Sequence, residues 1–169
     1  ILYRLVGSEM CIRDRDVTEI VNFVKANQNS FYEKENFSLT YTPFILMSTI
    51  KALKNHPLVN ASLINDSIHY HKHINIGLAV SLEDGLMVPT IFNCEEKNFL
   101  GLCRSVNEIA NRTRSNEITP DELGGSTFSI TNFGIFGIMA GTPIINQPNV
   151  GILGICLLYT SDAADDVEC

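Results

Sequence analysis

The side chains best suited to moving protons or binding metal are the four histidines, His56, His69, His71 and His73. The last three alternate, so in an extended strand they would project from one face at intervals of roughly 7 Å. Three imidazoles on one face invite a metal reading. On a rigid strand, however, neighbours at that spacing splay apart rather than converge on one ion with bonds near roughly 2 Å, and no carboxylate or cysteine at a suitable offset completes a shell. They are read as packed or solvent-facing side chains, with no metal. His56 precedes Pro57 at a helix end, where it can satisfy orphan carbonyls. No Gly-x-Ser-x-Gly elbow, phosphate-cradling glycine loop or dinucleotide fingerprint occurs. Of five cysteines, Cys94, Cys103 and Cys156 lie in the body of the chain, match no zinc spacing and read as reduced structural thiols.

What remains is the stretch Gly124-Gly125-Ser126-Thr127-Phe128-Ser129-Ile130-Thr131-Asn132-Phe133-Gly134, a hydroxyl-rich strand that breaks into a glycine-rich loop. Taken alone it reads as a strand in which Thr and Ser serve as strand formers whose hydroxyls bond locally.

The elements that position these residues follow from periodicity and caps. Asp16 with Glu19 forms a capping-box pattern before Val17, Ile20, Val21 and Val24 at helical spacing, which predicts a helix from 16. Thr42-Pro43 reads as an N-cap with proline at the first helical position, opening a largely apolar and therefore buried helix that stops before Pro57. Val59 to Ile64 and Ser67 to Ile74 flank Asn65-Asp66 as a tight hairpin. Strand character continues through Ile76, Leu78 and Val80, reverses at Asp84-Gly85, and returns through Leu86 to Ile91 with an irregularity at Pro89, so the central third is expected to be antiparallel. Asn93 with Glu96 predicts the cap of another long helix, carrying Phe99, Cys103, Val106 and Ala110 on its apolar side. Thr119-Pro120-Asp121-Glu122 starts a short helical turn ended by Gly124-Gly125. Strands Thr127 to Thr131 and Val150 to Ile155 then enclose a long loop with Gly134, Gly137, Gly141, Pro143 and Pro148, a candidate for function or for contact with another chain. The expected fold class is α/β, a two-layer sandwich with helices on a mixed sheet.

The chain has 169 residues, 45% of them hydrophobic and 18% charged, enough for one ordinary core. Its net charge is −7 with no basic cluster, which argues against nucleic acid. Its apolar runs fall short of the roughly 20 residues a membrane helix requires. Residues 1–15 and 157–169 fit neither a capped helix nor a bounded strand and resemble translated adapter DNA, so they are set aside as non-native and the domain is expected over 16–156.

Seven ordered segments within 16–156 carry a resemblance: Asp16-Val17-Thr18, Leu39 to Phe44, Pro57 to Ser62, Ile74 to Val80, Gly85 to Pro89, the glycine-hydroxyl strand, and Gly141 to Pro148 followed by Val150 to Gly154. In order and style they resemble the catalytic domain of dihydrolipoamide acyltransferases, the acyltransferase components of 2-oxo acid dehydrogenase complexes. The resemblance implies a chloramphenicol acetyltransferase-like fold built as a trimer, or a larger core, with active sites between subunits. It implies coenzyme A as a substrate and a lipoyl group carried on a separate domain. Its implied partners are the 2-oxo acid dehydrogenase and dihydrolipoamide dehydrogenase components, in the bacterial cytoplasm or the mitochondrial matrix. In such enzymes a histidine within Asp-His-Arg-x-x-Asp-Gly deprotonates a thiol, and a hydroxyl at the position of Thr131 donates to the tetrahedral oxyanion. Ser129 is the rival donor on the same face, and Ser129, Asn132 and Gly134 are the implied substrate-binding residues, the glycine leaving room for a thioester. None of the four histidines sits in a matching context, so a fragment inactive by itself is expected. A non-catalytic assembly core and a free-standing coenzyme A-dependent acetyltransferase are the alternatives.

Overall fold

A computed structural model describes residues 13–134 and 142–156, which fall into two compact units divided after Leu39. The first holds one helix, α1 (Thr18–Glu35). Asp16 Oδ1 accepts from the Thr18 backbone N–H at 2.9 Å, and hydrogen bonding from Thr18 holds the Asp16 carboxyl below its ordinary range. The helix carries on through the polar stretch until Asn36, whose φ of 60° ends it in the left-handed conformation that asparagine tolerates. Phe31 and Phe37 meet edge to face at 5.3 Å.

The second unit contains α2 (Thr42–Asn55), with Pro43 in its first turn and its end before Pro57 as the proline positions dictate. Tyr41 rather than Thr42 occupies the cap, and no side-chain bond closes it. Only one face of α2 is buried, through Leu46, Thr49, Ile50 and Leu53, while Met47 is exposed. The expected all-round burial is corrected accordingly. Next come β1 (Ala61–Ile64) and β2 (Ser67–Tyr70), paired antiparallel around Asn65 and Asp66 with φ of 49° and 60°. Two adjacent positive φ values are what a tight two-residue hairpin requires. The strand expected to reach Ile74 ends at Tyr70. Beyond it the Asn60 carboxamide donates to the carbonyls of His71 and His73, at 3.3 and 3.1 Å, so these groups join no ladder.

Four short strands follow: β3 (Ile76–Leu78), β4 (Val80–Leu82), β5 (Gly85–Met87) and β6 (Thr90–Ile91). Pro89 breaks the run between β5 and β6, giving no N–H but accepting from the Leu78 backbone N–H at 2.9 Å. Then α3 (Phe99–Arg114) begins at Asn98, whose Oδ1 accepts from the Gly101 N–H at 2.8 Å. The expected cap, Asn93, instead opens a separate 3-10 turn over Cys94–Glu96, because its own N–H goes to Asn75 Oδ1 and Lys97 is extended. On α3 the buried residues are Leu102, Cys103, Ile109 and Thr113; Phe99, Val106 and Ala110 are half-buried.

The strands β7 (Phe128–Asn132) and β8 (Ile152–Ile155) complete a four-stranded sheet in the order β6-β3-β7-β8. Only β6 is antiparallel; β3, β7 and β8 run parallel. The antiparallel expectation therefore holds for the hairpins and for β6, and fails at the other edge of β3. One face of the sheet carries Ile76, Leu78, Ile91, Phe128 and Ile130, which pack with Leu46, Ile50 and Leu53 of α2 and Leu102 and Ile109 of α3. Each such side chain, once buried, contributes roughly 1.5–3 kcal/mol relative to exposure. This is the two-layer α/β architecture. Among the described residues no helix is long and apolar enough to cross a membrane.

Candidate active site

The hydroxyl strand is held at its entrance by polar contacts. Thr119 and Glu122 form a reciprocal capping box that starts the turn Pro120–Leu123. Arg112 of α3 grips the same Glu122 through both oxygens, at 2.6 and 2.8 Å, and together with Thr119 draws its carboxyl down to about 2. Gly125, at φ 75°, then turns the chain into Thr127. There the Thr127 hydroxyl donates to Asn60 Oδ1 at 2.7 Å and accepts from the Asn75 N–H at 3.1 Å. Both Thr127 and Asn60 are buried, so these bonds satisfy groups that water does not reach.

From this anchor the strand's two-residue period sorts its side chains. Phe128 and Ile130 enter the apolar core under α2 and α3. Ser129 and Thr131 take the opposite face, beside Gly77 and Gly154, their partners in register. Both hydroxyl residues are enclosed, but unequally: Ser129 is 1% exposed and Thr131 8%. Ser129 Oγ is buried without a hydrogen-bond partner and lies 3.2 Å from where a methyl group on Gly77 would stand, in a recess closed by Val88 and Ser126. Thr131 stands one register further, near the carboxyl end of β7, and is the less enclosed of the two. Phe133 covers the bare Cα of Gly154, with Cε2 3.0 Å from the position a methyl group would occupy there. A neutral O–H carried on a strand and open to an approaching substrate is a preorganised donor for negative charge that develops beside it.

Asn132 and Gly134, also implied as substrate-binding, follow Thr131 in the chain. Asn132 follows the parity of Ile130, and its Oδ1 is occupied by the Gly134 N–H at 3.0 Å. Gly134 has a backbone reason to be glycine, since a Cβ there would lie 2.8 Å from the Cys156 carbonyl oxygen. Residues 135–141 of the glycine-rich loop, including Gly137 and Gly141, lie outside the described residues, as do 1–12 and 157–169. Phe133 was passed over as a side chain in the sequence reading, although parity with Thr131 assigns it to the same face.

The histidines separate. His69 lies in β2, whereas His71 and His73 follow it. His71 Nε2 meets Ser62 Oγ at 2.7 Å, and His73 Nδ1 meets Glu95 Oε1 at 2.7 Å. The other oxygen of Glu95 accepts from the Ile74 N–H at 2.9 Å. Burial alone would raise the Glu95 carboxyl, but the Ile74 and His73 bonds hold it below its ordinary value. Glu96 joins this pair to form one set of potential metal ligands among the described residues, their ligand atoms within 4.8 Å of one another. The sequence reading looked for carboxylates at strand offsets and missed this juxtaposition, which the turn Cys94–Glu96 creates. The Cys94 thiol is pushed up to about 11 by burial, as an inert structural thiol should be.

Comparison with known proteins decides the family. The model of the 2-oxoacid dehydrogenases acyltransferase catalytic domain matches residues 6–163. The chain belongs to this family. It is 36% identical over 153 residues to the dihydrolipoyllysine-residue succinyltransferase component of the 2-oxoglutarate dehydrogenase complex of Bacillus subtilis, covering 90% of this chain and 37% of that protein. Among solved structures, a probable dihydrolipoamide acetyltransferase from Listeria monocytogenes superposes with a TM-score of 0.82 at 34% identity, over 85% of this chain and 62% of that one. The cubic core of a pyruvate dehydrogenase multienzyme complex follows with a TM-score of 0.79 at 35% identity, over 84% of this chain and 59% of that one. The chain thus spans little more than a third of the length of the Bacillus relative. The family and the chloramphenicol acetyltransferase-like arrangement that the sequence resemblance implied both stand.

Proposed function

We propose that the protein containing this chain transfers an acyl group between dihydrolipoamide and coenzyme A, and that Thr131 is its oxyanion donor. The observation that carries the assignment is the place of Thr131 near the end of β7, on the sheet face turned away from the apolar core and less enclosed than Ser129. In the reaction, a base takes the proton of the attacking thiol and the thiolate sulfur forms a bond to the thioester carbonyl carbon. The carbonyl electron pair moves onto oxygen, where the Thr131 hydroxyl donates a hydrogen bond to the resulting oxyanion. Collapse re-forms the carbonyl and breaks the original carbon–sulfur bond, and the leaving thiolate recovers the proton from the base. Neither His71 nor His73 is assigned as that base, because neither sits in the histidine motif the resemblance implies, and the role falls to that motif. Ser129, in its recess beside Gly77, shapes the floor of the site rather than donating.

The same reading assigns the protein to a trimer or larger core that works with 2-oxo acid dehydrogenase and dihydrolipoamide dehydrogenase components, in the bacterial cytoplasm or mitochondrial matrix. The likeness to the cubic core noted above supports the larger core assembly. The test is steady-state kinetics on the complete protein containing this chain. Thr131→Ala should lower kcat by roughly 10² to 10³ with little change in KM, Thr131→Ser should keep most activity, and Ser129→Ala should keep the wild-type kcat within about threefold. Equal kcat for wild type and Thr131→Ala would overturn the assignment.

A further inference from the structure

The acyl group of a thioester is attached to the carbon whose oxygen Thr131 is proposed to hold, so whatever side chain stands beside Thr131 on the same face limits that group's size. Register and packing identify the neighbour. Thr131 pairs with Gly154 across β7 and β8, and strands in a sheet lie about 4.8 Å apart. The space that a Gly154 side chain would fill is taken by Phe133, whose Cε2 and Cδ2 lie 3.0 and 3.5 Å from the position of a Cβ, with Pro143 Cγ at 4.0 Å. Phe133 is two residues beyond Thr131, so parity keeps it on the hydroxyl face, and it is half-buried rather than sealed. An apolar ring and a proline therefore stand one strand spacing from the proposed oxyanion donor.

We infer that Phe133 is a specificity-determining residue, the wall that sets how large an acyl group the site accepts, and that the preferred substrates carry short unbranched apolar acyl groups. The inference rests on the reading of Thr131 given above. The chemistry fits: a ring edge offers dispersion contact to methyl and methylene groups and no partner for a carboxylate, whose burial beside it would leave a charge unpaired. Gly154 belongs to the same device, because only a residue without a side chain lets the ring lie down over β8 instead of standing upright in the path of the thioester.

The experiment compares acetyl-, isobutyryl- and succinyl-dihydrolipoamide as donors to coenzyme A, in the complete protein, for wild type, Phe133→Leu, Phe133→Ala and Thr131→Ala. A pocket methylene typically changes discrimination by about 10- to 200-fold. Phe133→Ala is accordingly expected to raise the isobutyryl to acetyl ratio of kcat/KM by at least about tenfold, with Phe133→Leu intermediate. Succinyl transfer should remain the slowest in wild type. Phe133→Leu keeps an apolar cover over Gly154, so its ratio is informative even if the alanine variant folds poorly. Unchanged ratios in Phe133→Leu and in any folded Phe133→Ala, alongside a uniform loss in Thr131→Ala, would overturn the specificity role while leaving the oxyanion donor in place. Wild-type preference for the succinyl donor would overturn the substrate class. A Thr131→Ala variant as fast as wild type would instead remove the reading on which the inference stands.

Discussion

Replacing Thr127 by valine tests whether the hydroxyl strand is held by hydrogen bonds or by shape alone. Valine has nearly the same shape and is as good a strand former, so packing and propensity change little. What is lost is one hydroxyl that donates to Asn60 Oδ1 at 2.7 Å and accepts from the Asn75 N–H at 3.1 Å. Asn60 is 4% exposed, so its orphaned oxygen finds no water. Leaving a buried polar group unpaired costs about 1–3 kcal/mol. The half-buried Asn75 N–H falls at the lower end of that range, and the extra methyl of valine returns up to about 0.8 kcal/mol. The sum is a destabilisation of about 1–3 kcal/mol, which lowers Tm by roughly 2–12 °C in a chain of this size. Urea midpoints and circular dichroism melts of wild type, Thr127→Val and Thr127→Ser provide the measurement. The serine variant keeps both bonds and should be the more stable of the two. A valine variant as stable as the serine variant would refute the reasoning and return Thr127 to the role of a plain strand former.

Two further outcomes are expected. The Glu95 carboxyl binds its proton less readily folded than unfolded, so the stability it supplies is complete above the ordinary value of 4.5 and is lost as pH falls through its lowered one; Glu95→Gln should therefore flatten the acid limb of a urea-midpoint series run from about pH 6 to about pH 3, and an unchanged limb would count against the His73 and Ile74 contacts. Gly77→Ala would place a methyl group 3.1 Å from Val88 Cγ1 and 3.2 Å from Ser126 Cβ and Ser129 Oγ, so it should cost about 1–3 kcal/mol by overpacking, and a variant with wild-type urea stability would show that the recess is roomier than drawn.

Features decided within a few residues were legible in the sequence. The Asn65-Asp66 turn and the short turn from Thr119 to Glu122 each follow from local chemistry and stand in the structure, and the helix signalled by Thr42-Pro43 begins one residue early, at Thr42. Features decided by distant partners were not. His71 and His73 continue an alternating pattern, but Asn60 claims their carbonyls from a neighbouring segment and the strand stops. Asn93 has the spacing of a cap, but Asn75 occupies its N–H and the cap passes to Asn98. The parallel partner of β3 lies far along the chain, and no period in β3 itself announces it. At the candidate site, the resemblance pointed to Thr131 with Ser129 as its rival, while the recess that encloses Ser129 beside Gly77, Val88 and Ser126 is built by distant segments and could not be read locally. The bond from the Gly134 N–H to Asn132 and the approach of the Cys156 carbonyl to Gly134 bring the end of β7 and the end of β8 together, and no local pattern announces them.

The alternation along β7 has a consequence for how this domain can change over time. Ile130 answers to the helices and Thr131 and Phe133 to the opposite surface, so adjacent positions are under unrelated constraints. A lineage can drift in substrate preference by exchanging the ring at 133 without disturbing the layer that keeps the chain folded, and can repack that layer without touching the reacting groups. Such separability makes one scaffold a durable host for several acyl chemistries, because each innovation is tested on one side of a strand while the other side stays as it was.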